Sequence, residues 1–271
     1  LLFVLSLQLG WGQSPWAQGA GKQYHQLAFN TVLPYSKLFG LESSLDLPRQ
    51  VSDVTLQYYG ELGIGNKLTL GLDVPFKFLK TGDMVDTTLA ISFNEAGSLQ
   101  TFGDIEVFAK YQLLSINGLA FGLLMNVGIP TSSFQAETEL KSGFNAWKVR
   151  PGLSLGYANS QLYVYGFGSY AWYGEEVFNR IYLGAEIGLR LSEKLIIAAF
   201  LSSFQAIEED GIGLDFNLTG LYINGQQYNT VTFKIINEFI PNKFGAFAAF
   251  GGGSGDLVAS SPALTFGVFL R

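Results

Sequence analysis

From Lys67 to Phe78 the chain reads KLTLGLDVPFKF and changes character at every step. Leu68, Leu70, Leu72, Val74, Phe76 and Phe78 form one row. Lys67, Thr69, Gly71, Asp73, Pro75 and Lys77 form the other. Successive strand side chains point to opposite faces, so the stretch predicts a β-strand with one wholly apolar face. A tilted strand crosses a bilayer in about 9–11 residues, apolar outward and polar inward, and this run has that length and pattern.

The alternation recurs along the chain. Asp53–Ile64 sets Val54, Leu56, Tyr58, Gly60, Leu62 and Ile64 against Asp53, Thr55, Gln57, Tyr59 and Glu61. Gly103–Leu114 and Leu119–Pro130 are joined through Asn117-Gly118, a strong hairpin signal. Tyr24–Leu33, Val149–Tyr157, Arg180–Leu191, Tyr228–Ile240, Lys243–Phe250 and Ala263–Arg271 complete the clear or weaker runs. Leu162–Tyr173 and Lys194–Ile207 also read as strands, but both of their rows are apolar and their facing stays open.

The connections alternate too. Short turns fall near residues 65, 116, 159, 193 and 242. Between them lie Pro34–Gln50, Leu79–Gln100, Thr131–Lys148, Gly174–Asn179, Glu208–Gln227 and Gly251–Ser260, read as loops. This is the plan of an all-β, transmembrane, up-and-down antiparallel β-barrel of about twelve strands, with long extracellular loops and short periplasmic turns. Pro75 and Pro151 fall inside strands, which is tolerated only where the ladder is broken, as at a barrel rim.

Leu1–Leu9 is an apolar run followed by Gly10, Gly12 and Pro15 and then by small residues at Ala17, Gly19 and Ala20. It reads as the later part of a secretory signal peptide over residues 1–20, cut between Ala17 and Ala20, with a buried N-terminal strand or helix as the alternative. The barrel domain is then residues 21–271, and the expected location is the outer membrane of a Gram-negative bacterium. The final strand, LTFGVFLR, is similar to the C-terminal signal read by the barrel-insertion machinery, except that Arg271 follows Leu270 where an aromatic residue is usual.

Composition narrows the function. The chain has 33 glycines, 13 tyrosines, 23 phenylalanines and only 14% charged residues, which suits aromatic girdles at a membrane. It has no cysteine, so no thiol nucleophile and no cysteine metal site. A formal charge of −6 speaks against nucleic acid as a partner.

The polar rows carry the residues expected to line the lumen: Asp53, Glu61, Asp73, Lys77, Asp104, Glu106, Lys110, Arg150, Glu186, Arg190, Lys234 and Glu238. Their mixed signs fit either charged walls that select solutes or an ion-pair network that plugs the barrel. His25 is the single histidine, and any serine-based lipid hydrolase would need it as base. Its place at the periplasmic start of the first strand argues against that role. Glu208, Glu209, Asp210 and Asp215 read as a solvated acidic loop. Gly251–Gly255 lacks the lysine of a phosphate loop. Phe134, Phe144, Trp147, Phe178, Phe216 and Tyr222 either line a vestibule or pack the loops together. No catalytic, cofactor-binding or metal-binding residue is expected, and no cofactor.

Phe102–Leu114, FGDIEVFAKYQLL, resembles a strand of outer-membrane proteins grouped under a MetA pathway of phenol degradation. The Asn-Gly turn that follows, the Gly128-Ile129-Pro130-Thr131 step, Pro151-Gly152-Leu153 and Leu183-Gly184-Ala185-Glu186 are similar as well. The resemblance implies a FadL-like channel for hydrophobic small molecules. The expected function is passive passage of small solutes, hydrophobic or aromatic ones included. The expected partners are outer-membrane lipid, lipopolysaccharide and the insertion machinery. The alternatives are a plugged barrel serving structure or surface binding and, third, an outer-membrane lipid hydrolase.

Overall fold

A computed structural model describes residues 13–39, 44–85, 94–174, 176–207 and 217–271. Twelve strands form one closed antiparallel ring: β1 (Gln23–Phe39), β2 (Leu45–Ile64), β3 (Leu68–Met84), β4 (Ile105–Ile116), β5 (Leu119–Ile129), β6 (Lys148–Ala158), β7 (Leu162–Tyr173), β8 (Asn179–Arg190), β9 (Leu195–Ile207), β10 (Gln227–Ile240), β11 (Phe244–Asp256) and β12 (Ala263–Leu270). β1 pairs with β2 on one side and with β12 on the other, which closes the ring. No helix occurs among the described residues. Three short pieces flank the ring: Gly97–Phe102 on β3, Val258–Ala259 on β1, and a small hairpin of Phe134–Gln135 with Leu140–Lys141.

The turns near residues 65, 116, 159, 193 and 242 all lie at one end. Ring strands extend several residues into three of the expected loops. β1 runs through Pro34 to Phe39 and β2 begins at Leu45, although Pro34–Gln50 read as loop. The β1–β2 register shifts between Val32 and Tyr35, so Pro34 sits at an irregularity where a missing donor breaks no bond. β3 continues to Met84, and β11 continues through the glycines to Asp256, where backbone pairing with β10 needs no side chain.

Pro75 and Pro151 sit at interrupted ladders. β3 pairs with β4 as far as Asp73 and with Gly97–Phe102 from Phe76 onward, so Pro75 falls between partners. Its carbonyl accepts from the Gly103 N–H at 2.9 Å on that side. A residue's N and C=O point the same way in a strand, so the absent N–H is absent where the partner changes. The β6–β7 ladder likewise skips from Gly152–Ser169 to Val149–Trp172, passing over Pro151.

The outward rows are apolar and exposed. Phe233 is 61% exposed, Ile235 57% and Leu155 58%. A belt of this extent would be costly in water and is at home in hydrocarbon. The two undecided strands now have faces. Tyr163, Tyr165, Phe167 and Ser169 of β7 point inward, as do Ile196, Ala198, Phe200 and Phe204 of β9. Several inward rings lie flat over glycines of the adjoining strand. A Cβ on Gly71 would fall 2.0 Å from the Phe108 ring, and one on Gly188 the same distance from Tyr163. Such pairs hold the rings against the wall rather than across the lumen.

Candidate functional site

The lumen is built in three layers. At the short-turn end, residues 13–20 enter the barrel ahead of β1. Gln13, Ser14, Trp16 and Gln18 are buried there. The Gln18 backbone N–H donates to Thr69 Oγ1 (2.8 Å) and its side-chain amide to Glu61 Oε2 (2.9 Å). Trp16 meets Tyr165 edge-on, with ring centres 6.0 Å apart. This segment fills the mouth that the short turns surround.

Three of the expected charge groups share that end. Lys110 Nζ lies 2.7 Å from Glu61 Oε1, and the Tyr59 hydroxyl donates to the same carboxylate. Lys234 Nζ lies 2.9 Å from Glu186 Oε2, whose other oxygen accepts from the Tyr163 hydroxyl at 2.7 Å. Glu238 takes Arg271 at 2.9 Å and Arg190 at 3.9 Å. Each carboxylate is fully buried and paired, as burial of charge requires.

Toward the loop end the pairs are looser and more open. Lys77 Nζ is 3.1 Å from both oxygens of Asp53. Asp73 accepts two bonds of 2.9 Å from the Gln57 amide. Glu106 is bridged by Lys148 and by Arg150 Nη2, the latter at 3.1 Å. Asp104 precedes β4 at the rim and accepts from the backbone N–H groups of Ser132, Phe144 and Asn145.

The opposite wall is aromatic. Phe167 stacks with Phe200, and Tyr182, Phe204 and Tyr228 follow in contact. The Tyr173 and Tyr182 hydroxyls meet at 2.7 Å. These inward rings keep partial exposure, apart from Phe200, which is 7% exposed. They therefore front open space within the lumen.

Residues 217–226 fold back into the loop-end mouth. Leu221 and Ile223 pack with Tyr35, Leu38, Leu47, Val51, Leu79 and Leu140. The Tyr35 hydroxyl donates to the Thr219 carbonyl at 2.9 Å, and Glu139 accepts from the Leu218 N–H at 2.6 Å. Tyr222 reaches further in, with Lys77 Nζ 5.5 Å from its ring centre. Burial pushes the Tyr222 hydroxyl up, against the pull of the Lys77 ammonium.

Of the loop aromatics, Phe144 and Tyr222 join the interior, with ring centres 5.3 Å apart. Phe178 is buried, while Phe134 and Trp147 are exposed. Phe216 and the acidic residues Glu208, Glu209, Asp210 and Asp215 lie outside the described residues. His25 sits on the outer surface, its ring nitrogens meeting the Tyr58 hydroxyl (2.8 Å) and the Gln23 amide oxygen (3.0 Å). Among the described residues no serine hydroxyl pairs with it, so the serine–histidine pair of a lipid hydrolase is not formed there. Among the described residues no cluster of three carboxylate or histidine ligands could hold a metal.

The sequence reading passed over Lys148, Arg180 and Arg271. Lys148 and Arg150 alternate with outward Val149, and Arg180 shares the row of Tyr182, Glu186 and Arg190. Period-two phasing carried one or two residues further would have found both.

Comparison with solved structures places the fold. The COG4313 outer membrane channel from Pseudomonas putida F1 superposes with a TM-score of 0.69 at 14% identity, covering 97% of this chain and 99% of that one. The NanC porin gives 0.56 at 8% identity over 92% and 100%. The KdgM porin gives 0.52 at 10% identity over 91% and 98%. A search of curated protein sequences finds no match. A family model described as "Putative MetA-pathway of phenol degradation" matches residues 29–235. That match spans most of the ring, from β1 into β10, and the chain belongs to this family.

Proposed function

We propose that this protein is an outer-membrane channel that lets small solutes, hydrophobic and aromatic ones included, cross passively. The observation that carries the reading is the partial exposure of inward rings such as Phe167, Phe204 and Tyr228. A barrel packed solid would bury them. A facing wall of ion pairs and an aromatic wall together suit solutes with one apolar and one polar side. The similarity to barrels titled channel and porin supports the same reading. No cofactor or energy source is needed, since a concentration gradient drives the passage.

A second reading has its own support. Residues 13–20 fill one mouth and residues 217–226 the other, which suits a closed barrel that serves structure or surface binding. Single-channel conductance in a planar bilayer, with liposome swelling on neutral and aromatic solutes, separates the two. Discrete conductance steps and solute-dependent swelling are expected. A folded barrel that is silent in both assays overturns the channel reading in favour of the closed one.

A further inference from the structure

The loop-end half of the lumen holds a charge that the barrel itself leaves incompletely answered. Arg180 is 3% exposed and makes no ion pair with any described carboxylate. Its Nη2 donates to the Asn224 carbonyl at 2.7 Å, and its Nη1 is buried with no hydrogen-bond partner. The guanidinium carbon lies 4.0 Å from the ring centre of Phe144 and 5.1 Å from that of Tyr173. Ring faces attract such a cation but do not replace the hydrogen bonds it loses on burial.

A second guanidinium stands near. Arg180 pairs with Ala171 of β7, and Arg150 follows Val149, which pairs with the next residue, Trp172, so the two arginines approach one another across β7. Arg150 lies 4.8 Å over the Tyr182 ring, and its Nε is also buried without a partner. Arg150 must share the single carboxylate of Glu106 with Lys148. Lys148, Arg150 and Arg180 thus outnumber the two carboxylates beside them, Glu106 and its register partner Asp73, and neither carboxylate pairs with Arg180. Asp73 is engaged by Gln57, and Asp104 by three backbone amides at the rim.

We infer that Arg180, with Arg150 and the rings of Tyr173 and Tyr182, forms a binding site for a small aromatic carboxylate on its way through the lumen. Phe144 is the key to the shape. It belongs to the loop between β5 and β6, and its ring lies on the guanidinium as a flat aromatic guest would. An incoming aromatic acid takes that ring's seat and brings what Phe144 lacks, a carboxylate for the unpartnered Nη1. A planar guanidinium fork matches a carboxylate in two parallel charge-assisted bonds, which a neutral aromatic cannot form. The inference rests on the channel reading for its route but not for the site itself.

The test uses the full folded barrel and two probes of the same shape, benzoate and benzamide. Calorimetric titration in detergent should show benzoate binding about tenfold more tightly, the margin of a charge-assisted over a neutral contact. Arg180→Gln should erase that margin. Arg180→Lys, which keeps the charge and loses the fork, should retain part of it. The wild-type comparison needs no variant, so a variant that fails to fold leaves the test intact. Equal binding of benzoate and benzamide overturns the site. Acetate binding as tightly as benzoate also overturns it, because the rings would then contribute nothing. Swelling on benzamide without a benzoate preference removes the site and leaves the channel. A benzoate preference without any swelling removes the channel and leaves the site.

Discussion

Lys110 and Glu61, on β4 and β2, form an ion pair from which water is excluded: their side chains are 3% and 0% exposed and their charged atoms 2.7 Å apart. Removing one partner strands the other charge in a dry site. Lys110→Met alone should lower the stability of the folded barrel by about 3–5 kcal/mol. Replacing both residues by apolar ones of similar volume should recover most of the loss. Urea unfolding of the lipid-reconstituted barrel reads both numbers. A single variant as stable as the wild type would show that water reaches the pair.

The segment at residues 13–20 lies outside the backbone ladders that close the ring; among its contacts are those of Gln18, the Ala17 N–H to the Gln112 amide oxygen and the Trp16 ring. A protein beginning at Gly21 should therefore still fold, and its conductance should exceed that of a protein beginning at Gln13. Trp16→Ala should give a smaller increase. Single-channel recording distinguishes these cases. Equal conductance for both starting points would mean the narrowest point lies elsewhere.

The loop-end mouth depends on Leu221 and Ile223, which anchor residues 217–226 in an apolar cluster. Leu221→Ala with Ile223→Ala should weaken that anchorage, each truncation costing about 2–5 kcal/mol by lost burial and residual cavity. The double variant should become cleavable by protease between residues 217 and 226 while the ring stays intact on gels. Swelling on bulkier solutes should quicken in parallel. Resistance equal to wild type would place the anchor in the polar contacts of Thr219 and Glu139 instead.

Gly71 is covered by the Phe108 ring of the next strand, and a Cβ there would overlap the ring. Gly71→Ala should push the ring off the wall. The expected cost is about 1–3 kcal/mol, typical of overpacking, with lower conductance because the displaced ring enters the lumen. Gly71→Ala combined with Phe108→Ala should restore the conductance. Unchanged conductance in the single variant would show that the ring does not bound the path.

The sequence was most readable where the two faces of a strand meet different surroundings. β3, β4 and β8 alternate cleanly because one row meets lipid and the other carries charged or hydroxyl groups. β7 and β9 hid their facing because Tyr163, Tyr165, Phe167, Ile196 and Phe200 are as apolar as the outward Val164 and Leu201. A lumen with one greasy wall removes the contrast on which periodicity depends. The extensions through Pro34 and past Gly251 were read as loops because proline and glycine are weak strand formers. There the neighbouring strand, not the local sequence, sets the conformation. The Arg180 site draws on β6, β7, β8 and two loops, so no stretch of sequence contains it.

β1 hydrogen-bonds to β12, so the first strand of the ring waits for the last. No partial sheet made from the leading strands has both of its edges satisfied, and each intermediate exposes unpaired N–H and C=O groups. Closure by contacts this distant in sequence is slow. The chain therefore has to be kept from aggregating until synthesis has passed Leu270, and loss of the final strand leaves an open sheet rather than a smaller barrel.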